Sequence, residues 1–246
     1  MRNNIFFADE MVGVECIMYL IKNNPNDILN IIVTNESSIV YKKLIEINYD
    51  NSKIIFNRNF FEKSFNDIDY IFLLWWPHII GEKIIKMSKF GVINTHPSLL
   101  PHNRGKNYNF WNLVEDVPFG VTLHFVDNTI DGGDIIFQNR ISKNWEDTGY
   151  SLYCKAKKEM VNLFKKKYKK IVEHQYVRVK QNLDEGSFHF SKELNSASQI
   201  FLDNTYKASE LFNLLRARTF PPNSSCFFID ENKKYEVSIE IKEKKL

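Results

Sequence analysis

The chain has 246 residues, 43% hydrophobic and 14% aromatic, enough apolar material for a sizeable core and too much for a disordered segment. Its net charge of +3 is far from that of a dedicated nucleic-acid binder, and no apolar run approaches the roughly 20 residues that span a bilayer. Residues 1–8 lack the basic, long apolar and small-residue regions of a signal peptide, and Cys16, Cys154 and Cys226 are too widely spaced for a disulfide framework or a zinc site, so a reducing, cytoplasmic setting is expected.

In chain order, residues 4–8, 29–34, 53–56, 70–74 and 91–95 are brief, nearly continuous apolar runs rich in Ile, Val or Phe, the pattern of buried parallel strands. Between them, residues 13–22 and 82–88 carry helical spacing, and 38–48 does so less clearly. This rhythm predicts a doubly wound α/β sheet of Rossmann-like type. Two further strands, 120–126 and 134–141, are joined through Asp131-Gly132-Gly133. A long helix is predicted over 147–174, with Leu152, Ala156, Met160, Leu163, Phe164, Tyr168 and Ile171 on its apolar side. Its other face carries Lys157, Lys158, Lys165, Lys166 and Lys169, which read as a solvated surface, with nucleic-acid binding as the alternative. After His174 the pattern changes. Gly186-Ser187-Phe188-His189-Phe190 opens a smaller region, followed by a helix over 207–215, a Pro221-Pro222 break and a β-hairpin of 226–229 and 235–241. The expected organisation is a catalytic domain over 1–175 and a small α+β region over 176–246.

Ligands of an open α/β sheet gather beyond the carboxyl ends of its strands. Asn94 and His96 stand at such an end, in Asn94-Thr95-His96-Pro97-Ser98-Leu99-Leu100-Pro101, and the two-residue repeat of a strand puts both on one side. An amide that donates to a developing oxyanion and an imidazole that manages a proton suit a carbonyl attacked by an amine. Asp131, ahead of two glycines that permit close backbone approach, is the acid expected to orient His96, with Asp127 and Asp134 as competitors read as turn or cap residues. Residue types and spacing alone support an acyl-type transfer site and no more.

The two segments together resemble the formyltransferase family that uses N10-formyltetrahydrofolate. The match runs through Asn94, His96, Ser98, Leu99, Leu100 and Pro101, then His124, Asp131 and Gly133. The resemblance covers residues 4–143 and, more loosely, the long helix. It implies that Asn94 bonds the formyl oxygen, that His96 stabilises the tetrahedral intermediate and assists proton transfer, and that Asp131 holds the proton network. It further implies that Trp75, Trp76, Pro77, His78, Ile79 and Ile80 line a pterin pocket, with the turn carrying Val126, Asp127, Ile130 and Asp131 as its other wall. Core packing is the competing reading of Trp75-Trp76. The family needs no metal, and the absence of a Gly-x-Gly-x-x-Gly turn after the first strand argues against a dinucleotide-dependent dehydrogenase.

Family members differ mainly in the amine they formylate, and the fold does not choose among them. Arg104-Gly105-Lys106-Asn107-Tyr108 differs from the segment at this place in methionyl-tRNA enzymes, and the tail reads as too short for their basic barrel. Enzymes acting on glycinamide ribonucleotide carry a Gly-x-His-Thr stretch that is missing here. A hydrolase of the same family is expected to have a further N-terminal domain. The segment is similar to the branch that modifies nucleotide-linked amino sugars. That similarity implies Lys106, Asn107, Tyr108, Phe188 and His189 near the sugar and phosphates, with Arg216, Arg218 and Phe220 at the diphosphate and base. It also implies a dTDP-linked 4-amino-4,6-dideoxyhexose as acceptor, with a 3-amino or UDP-linked sugar as the alternative, and a homodimer built through the terminal hairpin. Neither a nucleic-acid partner nor membrane insertion is expected.

Overall fold

A computed structural model describes residues 2–222 and 225–244; Met1, the first residue of the apolar opening, lies outside them. The first half alternates strand and helix: β1 (Asn4–Ala8), α1 (Glu10–Asn23), β2 (Ile28–Val33), α2 (Ile39–Glu46), β3 (Ile54–Phe56), β4 (Ile71–Leu74), α3 (Glu82–Ile85) and β5 (Val92–His96). There follow β6 (Arg104–Gly105), α4 (Tyr108–Val114), β7 (Gly120–Phe125), β8 (Ile135–Arg140), α5 (Gly149–Val172), β9 (Phe188–His189), α6 (Glu193–Ala197), α7 (Ala208–Arg218), β10 (Cys226–Asp230) and β11 (Lys233–Val237).

Seven strands form one sheet in the order β3-β2-β1-β4-β5-β7-β8. The first five are parallel, and β7 runs antiparallel to β5. The order reverses between β1 and β4, so the carboxyl ends of these two strands border the switch point at which such sheets bind ligands. The apolar runs are continuous because both sheet faces are covered. Ile5, Phe7, Ile32, Ile71 and Leu73 belong to one cluster with Phe60, Ile80 and Ile84. Phe6 and Phe72 point the other way, stack at 5.1 Å and meet Phe164 and Tyr168 of α5. Each such side chain contributes roughly 1.5–3 kcal/mol by leaving water. Buried polar atoms here are paired: Asn4 donates to the Tyr168 hydroxyl at 3.1 Å, which donates to Asp27 at 3.1 Å.

Strand and helix positions follow the sequence pattern to within a few residues. α1 begins earlier than expected because Asp9, extended, and Glu10 put acids at its positive end. α3 is shorter than the 82–88 pattern because Ser88 pairs with Ile68, and Lys89 donates to the Ile68 carbonyl at 2.8 Å. Two lysines of the basic face of α5 are engaged by α1: Lys157 lies 3.1 Å from Glu10 and Lys165 3.2 Å from Glu15.

The chain divides into two compact units, each made of three segments. One comprises Met1–His96, Thr122–Gln138 and Lys157–Gln181, and the other Pro97–Val121, Asn139–Ala156 and Asn182–Leu246. By contacts the two units interleave along the chain, because residues 97–121 and 139–156 pack with the C-terminal segment.

Candidate active site

In the first unit, register builds the site. Asn94 pairs with His124 and His96 with Thr122 across β5 and β7. Directly opposed residues of an antiparallel pair point to the same face, so Asn94, His96 and His124 converge. Asp131 joins them from the turn after β7. Its backbone is left-handed at φ 51°, a conformation Asp tolerates better than most residues. Gly133 holds the turn close: a Cβ there would lie 2.1 Å from the Phe125 carbonyl oxygen. Gln181 clamps it further, donating to the carbonyls of Asp131 at 2.9 Å and Gly133 at 2.7 Å.

His96 Nδ1 lies 3.4 Å from Asp131 Oδ2, and both side chains are largely shielded from water. The neighbouring acids are used elsewhere. Asp127 accepts from the Thr129 amide at 2.7 Å, and Asp134 pairs with Arg178 at 2.8 Å. Asp131 is thus the carboxylate beside the imidazole. Asn94 Nδ2 approaches His124 Nε2 at 3.2 Å and Asp131 Oδ1 at 3.4 Å. His124 is fully buried, and desolvation lowers its pKa to about 4 against the partial compensation of Asp131.

The loop after β4 is anchored by Thr95, which lies between Asn94 and His96 in sequence and points the other way. Its hydroxyl donates to the Leu73 carbonyl at 2.9 Å and accepts from the Trp75 amide at 2.8 Å, holding Trp75 in a left-handed turn at φ 56°. Trp76 packs edge-on against Phe7 at 5.2 Å, so its competing reading as a core residue describes much of its surface. Ile80 is also in the core, whereas Pro77, His78 and Ile79 are exposed. Val126 is half-buried against the same core, and Asp127 and Ile130 are exposed on the turn. The sequence reading missed the anchoring roles of Thr95 and Gln181. Their signal is visible only once β4, β5 and the 131–133 turn are adjacent.

The second unit contains the remaining predicted residues. Strands β6 and β9 pair, and Gly105 at φ 86° lets the chains approach, since a Cβ there would lie 2.3 Å from the His189 carbonyl oxygen. The His189 ring stacks on Trp111 at 3.7 Å, and its nitrogens meet Glu115 at 2.6 Å and Glu193 at 3.1 Å. Both ring nitrogens of His189 have partners within this unit. Arg216 is likewise engaged by the fold. It is 5% exposed, donates twice to Asn213 and reaches the carbonyls of Asn144 at 2.6 Å and Asp147 at 3.2 Å, with Trp145 under its guanidinium. It clamps the segment before α5.

Other groups of this unit are less committed. Lys106 is exposed, Phe188 lies near Arg104, and Phe220 packs edge-on against Tyr150 and Tyr153. Asn107 is left-handed at φ 59° ahead of α4, whose first residue is Tyr108. Four buried donor atoms, Arg104 Nε, Asn107 Nδ2, Trp111 Nε1 and Arg218 Nε, have no hydrogen-bond partner among the described residues. Buried donors left unpaired are costly, so each of these calls for a partner that the described residues do not supply. No group of three or more His, Cys, Asp or Glu among the described residues is arranged to hold a metal ion. No helix among them is long and apolar enough to cross a membrane.

An amide, an imidazole and an acid converge beyond the end of a sheet strand, the place at which open α/β sheets bind ligands. The Formyl transferase family matches residues 14–167, and the N-formyltransferase dimerization C-terminal domain matches residues 193–243. The chain belongs to the formyl transferase family. It is 32% identical over 165 residues to the bifunctional polymyxin resistance protein ArnA of Wigglesworthia glossinidia brevipalpis, a match spanning 66% of this chain and 25% of that protein's length. Among solved structures it resembles a 4-N formyltransferase from Francisella tularensis, with a TM-score of 0.84, 26% identity and 98% of each chain covered. It also resembles a sugar 3N-formyl transferase solved in the presence of dTDP and 5-N-formyl-THF, with a TM-score of 0.75, 25% identity, and 95% of this chain and 84% of that one covered.

Proposed function

We propose that the protein transfers a formyl group from N10-formyltetrahydrofolate to the amine of a dTDP-linked 4-amino-4,6-dideoxyhexose, of glucose configuration. The observation that carries this reading is the His96–Asp131 pair with Asn94 on the same strand face. The donor set fits a folate co-substrate: the 75–80 loop and the 126–131 turn offer exposed Ile79 and Ile130 to a flat heterocycle beside an acid-oriented imidazole. When bound, the folate supplies an activated formyl carbon. Asp131 orients His96 through Nδ1, and His96 takes the proton that the amine loses. Overall the amine nitrogen bonds the formyl carbon, the bond from that carbon to N10 breaks, the amine gives up one proton and N10 gains one. Lys106, Asn107, Tyr108, Phe188, Arg218 and Phe220 bind the nucleotide sugar, with the unpaired donors Arg104 Nε and Trp111 Nε1 added to that set. The 4-amino assignment follows the likeness to the Francisella tularensis enzyme. Formylation of a 3-amino sugar is the second reading, supported by the likeness to the 3N-formyl transferase. The product would serve surface-polysaccharide (O-antigen) assembly from the cytoplasm.

The test is a coupled assay with N10-formyltetrahydrofolate and a panel of dTDP- and UDP-linked amino sugars, following folate release and product mass. A gain of one formyl group on a dTDP-4-amino sugar is expected. A product with the 3-amino sugar alone selects the second reading, and binding without turnover on every acceptor rejects catalysis. His96→Ala and Asp131→Ala are each expected to lower kcat by roughly 10²–10⁴-fold. Nucleotide-sugar affinity stays within about two-fold; its loss instead would make these residues structural.

A further inference from the structure

In the second unit, Trp111 carries a buried donor without an acceptor, and its neighbours hold the ring in one orientation. Trp111 lies in α4 and Glu115 caps the end of that helix, a spacing that brings two side chains together on one helix face. The His189 imidazole fills the slot between them. It lies flat on the indole, with ring centres 3.7 Å apart and planes 7° from parallel, and its Nε2 reaches Glu115 at 2.6 Å. Glu193, one helical turn further along the chain, meets Nδ1 at 3.1 Å. A carboxylate at each ring nitrogen leaves the imidazole no free rotation in its slot. Glu115 is held in turn, because its second oxygen accepts from Asn103 Nδ2 and from the Ser187 hydroxyl, each at 2.7 Å. The backbone adds a further anchor: the Lys106 amide donates to the His189 carbonyl at 3.0 Å, where Gly105 permits the approach.

An imidazole fixed against one face of the indole also fixes the direction of the Trp111 N–H. That group can only donate, and no described residue accepts from it. Arg104, on the strand paired with β9, likewise has a buried Nε without an acceptor. Two unsatisfied donors thus belong to the β6–β9 pair, one on it and one stacked against it. We propose that His189 is a positioning residue that holds the Trp111 N–H toward an acceptor oxygen of the nucleotide sugar, and so raises affinity without touching the ligand. The proposal rests on the nucleotide-sugar reading above. A donor already fixed in place loses little freedom when the ligand arrives, which is how a supporting ring strengthens binding.

The experiment follows the indole N–H resonances of protein isotope-labelled at its four tryptophans. Trp111→Phe identifies the Trp111 signal by its loss. Titration of the native protein with dTDP is expected to shift that signal downfield. Thymidine and inorganic pyrophosphate are titrated separately, and the fragment that reproduces the shift carries the acceptor oxygen. Binding of dTDP that moves other resonances and leaves the Trp111 signal in place overturns the proposal. Binding of neither dTDP nor UDP anywhere on the protein would instead defeat the nucleotide-sugar reading, and the proposal with it. The role of His189 is tested by a double-mutant cycle on dTDP affinity. Trp111→Phe and His189→Ala are each expected to weaken binding about ten-fold, the worth of one hydrogen bond. In the Trp111→Phe background, His189→Ala should cost less than about two-fold more. Additive losses, or an unchanged affinity in a folded His189→Ala protein, overturn the positioning role. His189→Gln, which keeps a donor for Glu115 without the flat ring, replaces the alanine variant in the cycle if melting curves show that one unfolded.

Discussion

At the scale of single residues, the site is built by excluding water from a few titratable groups and satisfying what remains. His124 bears the cost of that exclusion. Its pKa falls from 6.5 to about 4 in the folded protein, so between those values the unfolded chain binds a proton that the folded chain refuses. Stability from this residue is complete above pH 6.5, is lost as pH falls toward 4, and changes no further below that. Linkage puts the loss at about 3 kcal/mol. Urea unfolding at pH 7 and pH 5 checks this: the native protein should lose more stability between the two than His124→Gln does. Equal losses would place the titration elsewhere. Arg216 shows what a single residue does not reveal when read from sequence. An arginine beside Phe220 and two prolines looks the same whether it faces a phosphate or the carbonyls of residues 144 and 147, which stand some seventy positions away.

Elements were more legible. Buried parallel strands are covered on both faces, so β1, β2, β4 and β5 stand out as apolar runs without alternation. Their carboxyl ends identify Asn94 and His96 by position alone. What the pattern does not reveal is how one element pins another. Thr95 is an ordinary β-branched strand residue until β4 lies alongside, when its hydroxyl closes the gap between Leu73 and Trp75. Thr95→Val keeps the shape and removes the hydroxyl's bonds to the Trp75 N–H and the Leu73 carbonyl, at a cost of about 1–3 kcal/mol. A lower melting temperature and weaker folate binding are expected, with nucleotide-sugar affinity unchanged. Folate binding equal to the native protein's would mean that the loop keeps its form without this bond. The terminal hairpin teaches the same lesson at its turn. Glu231 and Asn232 both take positive φ, 44° and 62°, which matches a two-residue turn, shorter than the five-residue loop read from composition. Glu231→Asn is expected to stabilise it by a few tenths of a kcal/mol.

At the scale of the whole molecule, the region matching the dimerization domain carries that hairpin, with Phe228 stacked on Tyr235 at 5.1 Å and Ile229 half-exposed beside them. Apolar groups on an exposed hairpin are what a second copy would cover. Light scattering is expected to report a dimer, and Tyr235→Asp to report a monomer that remains folded; a variant that stays dimeric would move the interface away from the hairpin. The interleaving of the two compact units has another consequence, for inheritance and not for chemistry. Each unit is written in three separated stretches of the chain, so a single recombination event near residue 175 would exchange only part of either. If the nucleotide sugar is bound as proposed, by residues of the second unit, a relative with a different acceptor could not lend its preference to this protein by one crossover near residue 175. Residues 97–121, 139–156 and 182–246 would have to travel together, and divergence within the family would be expected to proceed by substitution inside these stretches.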